Sequence, residues 1–264
     1  MKIPIHMITV AASFIWVLLI IFSASAIYSL KDIHLDIGKP QTTIAPQNEL
    51  LVEFPIGIVN NGYYNLNELN ISIEIHDPQK TVLAQGYTFI PVIKKDETLN
   101  TTDRMTMNLA DILQAHQNLI LNDTELQINR TVNVKTAGLI SLQVSSNLTM
   151  AWGAPLYNLT FEKPKFTIQV TPDSTNYVRV TIPTTFENHA FFDLTGTIRV
   201  SMYDNRNVVT STESIVFNEP QQSSYHADLA LDVPATGIAS NGYFEILFST
   251  PFFSYGPLVI QYGE

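Results

Sequence analysis

From Ile3 to Ile27 the chain carries no charged side chain, and the centre of that run, Phe14-Ile-Trp-Val-Leu-Leu-Ile-Ile-Phe22, is apolar on every helical face. These 25 residues make about 37 Å of helix, enough to cross a hydrocarbon layer about 30 Å thick. The spacing predicts a membrane anchor over residues 1–28. A cleaved signal peptide is the rival, because Lys2 gives a basic start and Ala24-Ser25-Ala26 has the small-x-small form of a processing site. The apolar run is longer than a signal core of roughly 7–15 residues, which favours retention. Lys2 and the α-amino group before the run orient the N-terminus inward and the remainder outward.

Beyond the anchor the period changes from helical to two. Phe54, Ile56 and Ile58 alternate on one face, as do Val178, Val180 and Ile182, the pattern of half-buried strands in a sandwich. Further strands are expected at 87–93, 125–134, 139–150 and 166–170, then at 214–217, 226–233 and 243–248. Leu109, Ile112 and Leu113, with Ala115 and Leu119, have helical spacing, so one short helix is expected near 107–118.

The two alternating regions are copies of one module. Pro55 precedes Asn60-Asn-Gly-Tyr-Tyr-Asn-Leu66 by five positions, and Pro183 precedes Asn188-His-Ala-Phe-Phe-Asp-Leu194 by five. Ile71, Ile73 and Ile75 then match Ile198, Val200 and Met202 with one deletion, and Asp77 matches Asp204. Trp152-Gly-Ala-Pro-Leu156 and Tyr255-Gly-Pro-Leu258 read as similar closing segments. At the turn, Asn60 and Asn188 can bond amides two residues on, and Gly62 accepts positive φ. One ring of each aromatic pair, Tyr63-Tyr64 and Phe191-Phe192, is expected in the core and the other outward. The expected architecture is all-β: an anchor at 1–28, a proline-extended stalk at 29–48, and two tandem sandwiches at 49–170 and 171–264, the first with an inserted helix.

The pattern Pro55-x4-Asn60-Asn-Gly-Tyr-Tyr-Asn-Leu66, with an alternating strand and a turn into Leu83-Ala-Gln-Gly86, resembles the type 2 late-embryogenesis-abundant proteins. That group is also called the water-stress and hypersensitive-response (WHy) domain, and the chain is most similar to its prokaryotic membrane-anchored relatives. The resemblance implies immunoglobulin-like or fibronectin-like sandwiches of about seven strands without catalytic residues. Asn61 stands where the family commonly has proline.

Charge and chemistry narrow the function. The net charge of -10, from 14 basic and 24 acidic residues, lacks the electrostatic footprint of a nucleic-acid binder. There are no cysteines, hence no disulfides and no thiolate sites. No Gly-x-Ser-x-Gly elbow, phosphate-cradling loop or His-Glu-x-x-His is present, so no catalytic residue, metal ligand or cofactor is expected. The six histidines show no helpful spacing to one another or to a carboxylate and read as exposed or turn residues. Asp77-Pro78 and Asp204-Asn-Arg-Asn207 could suggest calcium ligation, but hairpin turns explain them more cheaply.

Six Asn-x-Ser/Thr sequons, at Asn70, Asn100, Asn122, Asn129, Asn147 and Asn158, are candidate glycosylation sites. Inward Ile71, Leu126, Ile128, Leu142 and Val144 would turn Asn70, Asn129 and Asn147 to solvent. Rings of Tyr63-Tyr64, Phe191-Phe192 or Phe252-Phe253 that miss the core would form a contact patch. The expected function is a non-catalytic spacer or interaction module on the membrane, its body outside the cytoplasm, with a surface protein or glycan as partner. A stress-protective envelope protein is the alternative, and an exported hydrolase the third.

Overall fold

The computed structural model describes residues 5–45, 49–170 and 176–263. Lys2, Pro46 to Asn48 of the expected stalk, and 171–175 at the start of the expected second sandwich lie outside the described residues. Helix α1 is Ile5–Ser29, and its Val10 and Phe14 to Ile21 are exposed. It is long and apolar enough to cross a membrane, a property a signal sequence shares.

The rest is mainly strands: β1 (Ile33–Ile37), β2 (Gln41–Ala45), β3 (Glu49–Asn60), β4 (Leu66–His76), β5 (Val82–Ile93), β6 (Glu97–Asn108), β7 (Thr124–Thr136) and β8 (Ile140–Trp152). There follow β9 (Tyr157–Phe161), β10 (Lys165–Val170), β11 (Asn176–Asn188), β12 (Leu194–Asp204), β13 (Val209–Glu219), β14 (Ser223–Pro234), β15 (Gly242–Ser249) and β16 (Ser254–Tyr262). They form four sheets of four strands. One runs β5-β4-β7-β8 and another β13-β12-β15-β16. In the other two, β1, β2 and β6 pair with β3, and β9, β10 and β14 pair with β11. Adding eight to each strand number of the β5-β4-β7-β8 sheet and of the β3 sheet reproduces the β13-β12-β15-β16 sheet and the β11 sheet, so the internal repeat is a duplicated sandwich.

Alternation explains why these segments are strands. In β3, Leu50, Val52, Phe54, Ile56 and Ile58 are buried in turn, and in β11 so are Val180, Ile182 and Phe186. The expected helix appears as α2 (Leu109–Ala115), followed by a single turn, α3 (Asn118–Leu121). Asn108 caps α2 by accepting from the amides of Ala110 and Asp111. Leu109, Ile112, Leu113, Leu119 and Ile120 form the buried side of this insertion. The second copy has only the 3-10 turn Ala235–Gly237 there.

Three expectations are corrected by the pairing. The segment read as a free stalk is extended, but β1 runs antiparallel to β3 from Ile33 opposite Asn60 to Ile37 opposite Ile56, and β2 also pairs with β3. Phe166 to Val170, placed in the first module, pairs with β11 in the second, because a strand's partner is set by non-local contacts that periodicity does not report. Trp152 ends β8 while Tyr255 lies at the start of β16, so the two "closing" segments are not equivalent.

The chain clusters into two compact units: 1–43, 51–106 and 127–150 in the first, 44–50, 107–126 and 151–264 in the second.

Candidate functional site

The turn after β3 is built on one side chain. Asn60 is fully buried, and its Nδ2 donates to the carbonyls of Tyr64 at 3.0 Å, Ile93 at 3.2 Å and Lys94 at 3.0 Å. Its Oδ1 accepts from the amide of Gly62 at 3.2 Å. Asn188, equally buried, repeats this with Phe192 at 2.9 Å, Glu219 and Pro220 at 3.1 Å, and the amide of Ala190 at 3.1 Å. The next polar residue ties the same two turns together: Asn65 Oδ1 accepts from Lys95 N, and Asp193 Oδ1 from Gln221 N. A carboxylate could not donate to these carbonyls, and a shorter side chain would withdraw the donor from the buried Ile93 and Glu219 carbonyls, whereas those of Lys94 and Pro220 also accept from Glu97 N and Ser223 Oγ.

Gly62 does not have the positive φ expected for it, since the positive-φ glycines are Gly138, Gly256 and Gly263. Its requirement is space. A Cβ there would lie 2.5 Å from Ser29 Oγ and 2.8 Å from the Ser29 carbonyl oxygen. Ser29 is the last residue of α1 and fully buried, and its Oγ accepts from Tyr63 N at 2.7 Å. Asn61 N donates to Asp32 O at 3.1 Å. Tyr64 meets Phe22 edge-on at 5.8 Å and shares a 2.7 Å hydrogen bond with Ser25. Tyr63, although 54 % exposed, stacks on Tyr28. The end of α1 is therefore packed into the first unit.

Within the second unit the turn after β11 has a different partner. His189 N donates to Ala154 O at 3.0 Å, and a Cβ on Gly153 would lie 1.8 Å from His189 O. Phe191 meets Trp152 edge-on at 5.6 Å, and Trp152 Nε1 donates to Leu119 O at 2.8 Å. The His189 ring stacks on Tyr157 at 4.4 Å between two carboxylates, Asp123 at 2.7 Å and Glu187 at 2.8 Å. The hydrogen bond to Asp123 raises its pKa above the ordinary 6.5, partial burial opposes this, and the bond to Glu187 adds to it. Protonated, the imidazole donates to both. Asp123 also accepts from Ala154 N at 2.8 Å, so one carboxylate binds the ring and the backbone of the entering segment. A cleft of about 370 Å³ lies beside Asp123, Trp152, His189 and Gln222.

The sequence reading missed these pairings. Glu187 and His189 are two apart, as are Glu74 and His76, which are 3.0 Å apart on β4. Residues two apart on a strand share a face, as Glu74 and His76 do, and His189 keeps that spacing one residue past the end of β11, so the signal was in the spacing. Among the described residues no group of three or more His, Asp or Glu is arranged to hold a metal ion. Asp77 and Asp204 occupy hairpin turns of one design: each accepts from the amide four residues on, Thr81 N at 2.7 Å and Val208 N at 2.8 Å. Lys80 and Asn207 take the positive φ. The Val208 amide is the main cause holding the Asp204 carboxyl below its usual range.

Of the sequon asparagines, Asn100, Asn122, Asn147 and Asn158 are exposed, and Asn70 and Asn129 half-buried. Ile71, Leu126 and Ile128 are buried as expected, but Val144 is 63 % exposed. Val144 lies on β8, a sheet edge, where only one neighbouring strand covers it. The Phe252-Phe253 rings both reach the core, Phe252 packing on Phe192 at 4.5 Å, so they form no contact patch.

No protein-family model matches the chain, and no curated protein matches it. Solved structures similar to it include red sea bream transglutaminase, at 9 % identity and TM-score 0.33 over 87 % of this chain and 31 % of that one. A glycosyl hydrolase family 2 member from Bacteroides cellulosilyticus gives 10 % identity and TM-score 0.30, over 81 % and 28 %. The periplasmic chaperone SfaE gives 11 % identity and TM-score 0.27, over 87 % and 98 %. The chain spans less than a third of the transglutaminase and the hydrolase, and at these scores none of the likenesses assigns a family or an activity.

Proposed function

We propose that the protein is a single-pass membrane protein whose tandem sandwiches stand outside the cytoplasm as a non-catalytic spacer or interaction module. The observation that carries this reading is the packing of α1 onto the first unit. Ala26 and Ser29 are wholly buried, and Ser25 is bonded to Tyr64, so the small-x-small segment is part of the folded joint. Such a joint supports retention of the anchor over cleavage after Ala26. Membership of the late-embryogenesis-abundant type 2 group belongs to the same proposal, supported by the asparagine turn present in both copies.

An interaction role is favoured by β5, an edge strand whose exposed face carries Tyr87 and Phe89, 65 % and 52 % exposed. An unpaired edge with exposed rings can take an added strand or a flat apolar surface. The exposed sequon asparagines are places where a glycan fits without disturbing the core.

A membrane-impermeant amine reagent on intact cells tests the topology. It labels the exposed Lys80, Lys163 and Lys165 before lysis, and mass spectrometry of the membrane-bound chain recovers residues preceding Ile27. Labelling only after lysis, or a mature chain beginning at Ile27, overturns the proposal.

A further inference from the structure

Within the first unit a cleft of about 290 Å³ opens between the faces of β1 and β3 and those of β4, β7 and β8. Ile58, Leu66, Leu69 and Val132 form its floor, Val144 stands exposed at its mouth, and Gln143 is the only polar side chain in its wall. The wall begins at Leu30, one residue past the end of α1.

The duplicate shows that this space is not a necessary product of the fold. Ile58 corresponds to Phe186 in the repeat register. Val132 faces Ile71 across a strand pair as Phe248 faces Ile198, and Ile90 faces Leu69 as Phe217 faces Gly196. In the second copy these three rings pack edge-on, 5.9 Å between Phe186 and Phe217, 6.1 Å between Phe186 and Phe248, and 6.2 Å between Phe217 and Phe248. The copy that carries the anchor has aliphatic side chains at all three positions, and two of them, Ile58 and Val132, line the cleft.

We infer that this cleft takes the acyl chain of a membrane lipid. Its wall offers alkyl contact and almost no hydrogen bonding, which selects a hydrocarbon chain over a sugar or peptide. Its position supplies the source. Leu66 follows by two residues Tyr64, whose ring touches Phe22 and Ser25 of α1, so the cleft lies at the end of the membrane helix, beside a reservoir of acyl chains. A chain leaving the bilayer would expose hydrocarbon to water, and the cleft offsets that by covering it while its own Val144 and Leu35 are covered in return. The inference rests on the anchored reading above.

The test uses the full chain in phosphatidylcholine vesicles containing a phospholipid with a diazirine at the end of one acyl chain. Photolysis and peptide mapping should find label in α1 and, separately, in Ile33–Ile37 and 141–144. In an Ile58→Phe/Val132→Phe double variant, which copies the second module, cleft label should fall about tenfold or more while α1 label stays. Val144→Asp, at an exposed position, should do the same if the double variant folds poorly. Label confined to α1, cleft label undiminished in both variants, or cleft label from a diazirine free fatty acid only would overturn the inference. Absence of label from α1 itself would instead overturn the anchored reading, and the lipid source with it.

Discussion

The turns after β3 and β11 have the same interior and different guests. Both hang on a buried asparagine that bridges three carbonyls, and both present a following amide, of Asn61 or His189, to the backbone that enters the module. In the first copy the entering chain is the end of α1, met by Tyr63, Tyr64 and Gly62. In the second it is Trp152 to Ala154, met by Phe191 and His189. The asparagine is thus the constant of the fold, and the residues after it vary with what must be gripped. Gly62 against Ala190 is the clearest case: one copy has Ser29 pressed against that position and the other tolerates a methyl group.

The sharpest way to break this comparison is to remove its constant. Asn60→Asp and Asn188→Asp each replace a donor facing three buried or part-buried carbonyls with an acceptor, and each should cost about 1–3 kcal/mol. Denaturant unfolding of the full chain in detergent measures this. A loss in only one copy would mean that the two turns are not equivalent. Gly62→Ala should cost about 1–3 kcal/mol through overpacking against Ser29, whereas Ala190→Gly should cost no more than about 1 kcal/mol. Equal effects would remove the steric account of the difference.

A buried polar difference sharpens the comparison further. Asp103 on β6 is buried, accepts from Thr88 Oγ1 at 2.7 Å, and its Oδ2 has no hydrogen-bond partner. Counted from the preceding turn, the second copy has Leu229 there, and Thr88 faces Ile71 as Ile215 faces Ile198. The double change Asp103→Leu/Thr88→Ile should therefore stabilise the first module by about 1 kcal/mol or more, read from the same unfolding curves.

The smallest effect is that of pH. The pKa of His189 is raised in the folded chain, so its contribution is complete below the ordinary 6.5 and is lost as pH rises through the raised value. His189→Gln should flatten that slope, and an unchanged slope would remove His189 from the joint.

The apolar N-terminal helix, the duplication, the strand faces of β3 and β11 and the inserted helix were legible because each is written in local sequence pattern. β6 was not. Its inward positions include Thr101 and Asp103, which give no apolar alternation. β1 and β9 were missed because each is short and pairs as an added strand, a fact held in β3 and β11 rather than in their own residues. The asparagine turn was found, but the reason for Gly62 was not, since Ser29 is distant in sequence. The His189 joint escaped for the same cause, with Asp123 supplied from far upstream.

Hydrogen exchange at the amides of Asn61, Gly62 and Tyr63, followed in the full chain in lipid nanodiscs, tests the union of helix and sandwich most directly. The account predicts protection comparable to that of His189 and Ala190, because Asp32 O, Asn60 Oδ1 and Ser29 Oγ accept from these amides. Exchange of all three at the rate of an open loop would contradict it.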